Sequence, residues 1–225
     1  MVAFFATSSA LSRLGRSSSS DIGGGPRDIV ARGSERDAVQ VAANGGIAAL
    51  LALLAWLWPD RGLCFYAGFA GALAAATADT WATEVGARSP SPPRLVVGGR
   101  RVSPGTSGGV TPLGSLAGVV GACFLAALAA AGLALGMAPG RSAVLFGAVA
   151  IAGLAGSLVD SLLGATVQAA YRCPACDLPT EHLIHRCGTP TRLVRGLPFL
   201  TNDAVNFVAT ASGALIGGVA SKILG

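Results

Sequence analysis

Residues 63–86 read "LCFYAGFAGALAAATADTWATEVG", an apolar run that carries no charge after Arg61 until it meets two acids, Asp79 and Glu84. A bilayer core of about 30 Å takes roughly 20 apolar residues in helical form to cross. Leu63 to Ala78 supplies only about 24 Å at ~1.5 Å per residue, so a helix that spans must continue through Asp79. That acid then lies at membrane depth or in a polar cavity, and near a helix C-terminus it also opposes the macrodipole by about 0.3–1 kcal/mol. Thr80 and Glu84 are four residues apart and share a face, with Asp79 beside it. Pairing with an arginine or solvation at the helix end would account for the acids. A ligand or catalytic role accounts for them better, because ionisable groups inside a membrane are functional by default.

The rest of the chain extends the same argument. Of 225 residues, 52% are hydrophobic and 12% charged, about half the charged share of an average soluble domain. The 32 glycines and the abundant alanines suit helices that pack backbone to backbone in lipid. Five segments are long enough to cross: Val41–Trp58, Leu63–Val85, Thr111–Leu135, Ser142–Gln168 and Asp203–Leu224. They predict an all-α, polytopic transmembrane helix bundle over residues 41–225, preceded by an N-terminal half-span and loop over residues 1–40. "MVAFFATSSAL" (1–11) covers about 16 Å as a helix and lacks the basic start of a signal peptide; it reads as a sixth span cut short.

Connection length and charge orient the bundle. "PDRG" (59–62) and "GMAPGR" (136–141) are tight turns on one side. The connections on the other side, 1–40, 87–110 and 169–202, carry five, four and four arginines, 13 of the 16 cationic residues, which places them in the cytoplasm. The expectation is an integral protein of a bacterial-type cell membrane, its C-terminus outside and its active face cytoplasmic. The net charge of +5 does not indicate nucleic acid, since the arginines are dispersed in loops without grouped aromatics. "SRLGRSSSSDIGGGPRDIVARGSERDA" (12–38) reads as a loop with a short interfacial helix, and "RLVVGGRRV" (94–102) as a small hairpin about its Gly-Gly turn.

Every unusual polar group in the spans falls near this basic face. In "GLAGSLVDSLLGATVQ" (153–168), Gly153, Ser157, Asp160, Ser161, Gly164 and Gln168 lie within about 100° of helical arc. Asp160 is roughly 12 Å before Gln168, too deep for a solvated tip, whereas the serines and glycines alone would suit helix packing. In "RVSPGTSGGVTPLGS" (101–115), Gly105, Gly108 and Gly109 can take positive φ, and Thr111-Pro112 is a suitable N-cap and first helical position. A glycine-rich loop before a helix start is an anion site, here flanked by Arg94, Arg100 and Arg101, although it is no Walker A loop. "TNDAVN" (201–206) offers Thr201 as a cap and Asp203 in the first turn, with Asn202 and Asn206 one turn apart on the same face.

Of the five cysteines, Cys64 and Cys123 sit in apolar runs and read as inert. The others lie in "CPACDLPTEHLIHRCG" (173–188), where Cys173, Cys176 and Cys187 with His182 or His185 exceed the four ligands of a tetrahedral zinc site. His185 is the preferred fourth ligand. The expectation is a structural zinc knuckle rather than a disulfide, because the loop faces a reducing compartment.

The order and spacing of "ADTWATEVG", "PRLVVGGRRVSPGTSGGVTPLG", "GLAGSLVDSLLGATVQ" and "NDAVN" resembles the transmembrane-protein-19 and phytyl-phosphate-kinase family of integral membrane proteins, over roughly residues 35–224. Its plant members are CTP-dependent kinases that convert an isoprenoid monophosphate to the diphosphate. The same block order is similar to dolichol kinase and, more loosely, to cytidylyltransferases. The resemblance implies that Asp79 and Glu84 form the first acidic block, Gly105, Thr106, Ser107, Gly108 and Gly109 the phosphate loop, Asp160 the fourth-span acid, and Asn202, Asp203 and Asn206 the closing block. It implies catalytic roles for Asp79, Asp160 and Glu84, Mg2+ on Asp79, Asp160 and Asp203, and CTP near Thr80, Ser161 and Gln168. Three departures stand out. The family has a complete span before "FFATSSALSRLG", the plant pattern lacks the cysteine cluster, and "PGTSGG" lacks the Lys-Ser pair of dolichol kinases, leaving Arg100 and Arg101 as the cations for phosphate. The expected partners are therefore a lipid bilayer, a nucleotide and an isoprenoid phosphate. A homo-oligomer is compatible with "GSLAG" (114–118) and "GALIG" (213–217), as is packing within one chain. A transporter is the alternative, which would need an inverted repeat for which only a recurring "GxAGxL" (68–73, 153–158) speaks; a structural scaffold would leave Asp160 without a reason.

Overall fold

The long apolar runs become helices in the computed structural model, which describes residues 2–16, 38–136 and 141–224. They are α1 (Val2–Arg16), α2 (Ala38–Leu57), α3 (Gly62–Gly86), α4 (Pro112–Gly136), α5 (Ser142–Thr166) and α6 (Asn202–Leu224), with one 3-10 turn, Pro59–Arg61, between α2 and α3. Helices α2 to α6 are long and apolar enough to cross a membrane. A 25-residue helix such as α3 is about 37 Å long, so Asp79 is carried inside an uninterrupted helix. The N-terminal segment is longer than its apolar run suggests, because α1 continues through Arg16. The interfacial helix expected in 12–38 falls mostly on residues 17–37, outside the described residues, as do positions 137–140 of the second tight turn.

Helix α3 lies at the centre, packed against α1, α2, α4, α5 and α6. Its buried face is almost wholly alanine and glycine, from Ala67 to Ala78, because in lipid small residues are what bring helix backbones together. A methyl group at Gly71 would strike the carbonyl oxygen of Gly213 on α6, and one at Gly217 that of Ala67. Gly114, Gly118 and Gly121 of α4 rest on Ala82, Ala78 and Thr77 of α3, while Gly153 and Gly156 of α5 rest on Ala74 and Ala75. Both GxxxG stretches therefore pack within the chain. The large apolar side chains point outward instead: Leu116, Ile151, Leu158 and Leu215 are all more than half exposed, an arrangement that suits acyl chains and would be a liability in water.

The two long connections fold into small sheets. Strands β1 (Arg94–Leu95) and β2 (Gly109–Val110) pair antiparallel. The expected hairpin is present, with an Arg94–Arg101 bridge closing over Gly98 and Gly99, whose φ values are 78° and 64°. After α5, β3 (Ala170–Arg172) lies between β4 (Pro179–Thr180) and β5 (Arg192–Arg195), both antiparallel to it. The two connections meet at one end of the bundle. Gly108, with φ 77°, lies so close to the backbone of Ala165 that no side chain fits between them, and Ala169 N–H donates to Leu200 O just before α6 begins.

Candidate functional site

At that end the carboxyl groups of Asp79 on α3 and Asp160 on α5 come within reach of each other. Close packing of α5 on α3 through Gly153 and Gly156 sets the two helices near enough for this. Asp160 Oδ2 is sealed from solvent and, among the described residues, has no hydrogen-bond partner. Two carboxyl groups in contact repel one another unless a proton or cation accompanies them. Thr80 and Ser161 adjoin the pair in sequence and are half-buried. Glu84 lies about 140° around α3 from Asp79, so the two acids of the opening stretch do not share a face; the Glu84 carbonyl accepts from Arg88, whose guanidinium also donates to Leu11 O within α1.

A third carboxylate belongs to this site and was not among the residues read from the sequence. Glu181, just after β4, lies close enough for its charge to be felt at Asp160. Its Oε1 accepts from Ser107 Oγ at 2.8 Å and from Gln168 Nε2 at 3.0 Å, and Gln168 Nε2 is 3.1 Å from Ser107 Oγ. Gln168 does not continue the polar stripe of α5. The helix ends at Thr166, and Gln168 follows as a bridge to Leu197, its side chain 2% exposed. The one signal for Glu181 in the sequence is scarcity: loop 169–202 has two acids, and Asp177 is occupied by Arg172 in a two-bond ion pair at 2.5 and 2.8 Å.

The glycine loop is placed beside these groups but is less open to an anion than a helix start suggests. Thr106 N–H donates to Ser103 O and Gly109 N–H to Thr106 O. At the start of α4, Pro112 has no N–H, and Gly114 N–H is capped by Thr111 Oγ1 at 3.0 Å. Among the first three helical positions Leu113 alone offers an uncapped donor, so a phosphate would draw on the loop and on side chains. Gly105 and Gly108 do take positive φ, whereas Gly109 does not.

A cation missed in the sequence stands nearby. Arg195 donates from Nη1 to Ala165 O at 3.1 Å and from Nη2 to Gly164 O at 2.7 Å, capping the C-terminus of α5, where a positive charge suits the helix dipole. Its buried Nε has no partner among the described residues. Burial and the neighbouring Arg100 guanidinium both hold Arg195 below its usual basicity. Arg101 is exposed on the hairpin. Thr201 caps α6 through Oγ1, which accepts from Ala204 N–H at 3.4 Å, Asn202 and Asp203 occupy the first turn, and Asn206 is buried.

Farther along the same loop, Cys173, Cys176, His185 and Cys187 bring one ligand atom each to within 4.8 Å of one another. Cys173 Sγ is 3.6 Å from Cys187 Sγ, which lies 3.1 Å from His185 Nδ1. His182 stands outside the group; its carbonyl accepts from Thr191. Hydrogen bonding by Thr189 and His185 draws the Cys187 thiol down to about 5, while its contact with Cys187 and burial push Cys176 up to about 11.

The chain belongs to the family described as integral membrane protein DUF92, whose profile matches residues 1–214. It is 32% identical over 244 residues to Protein PGR of Arabidopsis thaliana, covering 98% of this chain and 80% of that protein. It is 34% identical over 188 residues to the uncharacterized membrane protein MJ0933 of Methanocaldococcus jannaschii, covering 81% of this chain and 61% of that one. No solved structure matches.

Proposed function

We propose that this integral membrane protein is a phosphotransferase, a CTP-dependent kinase that converts an isoprenoid monophosphate, phytyl or prenyl, to its diphosphate. The observation that carries the reading is the Asp79–Asp160 contact, with Asp160 Oδ2 buried and unpartnered, set beside a glycine loop and Glu181. In the reaction, an oxygen of the isoprenoid phosphate attacks the γ-phosphorus of CTP. The bond from that phosphorus to the β,γ-bridging oxygen breaks, and CDP leaves. Positioning and charge neutralisation carry most of the catalysis in such transfers.

The residues fit Mg2+, which takes oxygen donors and a small number of carboxylates. Asp79 and Asp160 would hold it, with Glu181 as the third oxygen donor beside Asp160 and Asp203 at the start of α6. Bound there, Mg2+ would offset negative charge on the phosphates. The chain supplies the rest. Gln168 and Ser107 hold Glu181 in place through two donated hydrogen bonds. Arg195, fixed by two carbonyls of α5 and next to Arg100, provides the cationic side that the loop sequence itself lacks. The isoprenoid tail would lie along the outward apolar side chains of the spans, such as Leu158 and Leu215, which accounts for an enzyme that resides in lipid.

The test is an assay in membranes containing the chain. CTP with phytyl, farnesyl or geranylgeranyl phosphate should yield the diphosphate and CDP, with ATP as the comparison donor. Asp160→Asn should abolish the product. Undiminished turnover in that variant would overturn the assignment.

A further inference from the structure

We propose that Cys173, Cys176, His185 and Cys187 hold a zinc ion, and that this ion fixes the loop that delivers Glu181 to the carboxylate pair. Three thiols and an imidazole are a ligand set for zinc. In a tetrahedron with Zn–S of ~2.3 Å, sulfurs stand about 3.8 Å apart, and Cys173 and Cys187 stand at 3.6 Å. A disulfide would need about 2.05 Å. The backbone around the ligands is already turned for the task. Cys173 O accepts from Asp177 N–H across the Cys-x2-Cys turn, and Asp177 takes φ 55°. His185 O accepts from Gly188 N–H across the second turn, and Gly188 takes φ 82°.

The ion would close a ring of chain in which Glu181 sits between the two ligand pairs. Strand β4 leads from the first pair to Thr180, which is 2% exposed, and Glu181 follows directly. From there its carboxylate reaches Ser107 in the glycine loop and Gln168 at the end of α5. This stretch has no apolar core of its own, with Leu183 and Ile184 68% and 64% exposed; its bonds at His182, Leu183 and His185 run to Thr180, Thr189 and Thr191 within the same loop. Loss of the metal would therefore free Glu181 and, with it, one wall of the acid site. Only the use of that wall in phosphotransfer rests on the function proposed above; the ion and the tether do not.

The experiment uses the full chain purified in detergent. Elemental analysis should find about one zinc per chain, lost in Cys176→Ser and in Cys187→Ser, and Co2+ in its place should give the absorption bands of a tetrahedral thiolate site. Hydrogen–deuterium exchange then tests the tether on folded wild-type protein, stripped by a chelator and reloaded with Zn2+. Stripping should speed exchange about tenfold or more at residues 105–109 and 168–172 as well as in 173–191, since hydrogen bonds to a charged acceptor are lost, and zinc should restore it. Glu181→Ala should keep its zinc yet loosen 105–109. Wild-type protein without stoichiometric zinc would overturn the metal site. Stripping that loosens 173–191 alone, or Glu181→Ala without effect on 105–109, would overturn the tether. The outcome of the CTP assay bears on neither result.

Discussion

At one end of the bundle α2 turns into α3 through Pro59–Arg61, a single turn closed by Arg61 N–H on Trp58 O and Gly62 N–H on Pro59 O. At the other end α3 joins α4 through residues 87–111 and α5 joins α6 through 167–201, and both stretches fold into sheets that touch each other and the helix ends. The same central helix runs between them. At the short-turn end the described residues hold Asp60 and Arg61 in an exposed turn; at the long-loop end three carboxylates and Arg195 are gathered against buried backbone. The contrast teaches that the spans set the spacing of Asp79 and Asp160 and the long loops add Glu181 and Arg195 to it.

Substitutions at four positions would break or sharpen that contrast. The largest effect belongs to Asp160→Asn, which should reduce phosphotransfer by at least about 100-fold, the order lost when a group that manages charge at a reacting phosphate is removed. Its thermal stability in chelator should equal or exceed that of the parent, because one of two contacting carboxyls is gone; a large fall in stability would mean the pair is a structural fixture. Midway between the ends, Gly71→Ala should cost about 1–3 kcal/mol by overpacking against Gly213, read as a lowered Tm in detergent, with both ends weakened together. Arg195→Ala comes next. It should raise the KM for nucleotide about tenfold and cost about 1 kcal/mol in the α5 cap, and Arg195→Lys should not restore it, since a lysine does not bond two carbonyls in a fork. Asp60→Ala, at the short-turn end, should change turnover by less than about twofold. A strong effect there would erase the distinction between the ends.

The spans were legible because lipid imposes a long apolar run on any helix that crosses it, and the structure places their ends within a few residues of the expected ones. The charged end of α3 and Asp160 were legible for the same reason, since an acid in such a run has to be accounted for. The cysteine cluster was legible from ligand chemistry, and His185 rather than His182 joins it. Glu181 was not, because a glutamate in a polar loop is ordinarily solvated and only the folded sheet turns it inward. Nor was Arg195, whose partners are backbone carbonyls that leave no trace in side-chain pattern. Gly108 shows the opposite failure: its conformation was expected, but its closeness to Ala165 of α5 was not, because glycine in a loop does not say which backbone will approach it.

Where α3 meets α5 and α6 at their glycines, the closest contacts run from glycine to a carbonyl or a methyl group, which have no rotamer to change. Such a seam behaves as a jig: the helices carrying Asp79 and Asp160 have almost no slack with which to part. For the phosphotransferase proposed above, admission of substrate and release of product would then fall to the loops above them, while the membrane-embedded frame stays still.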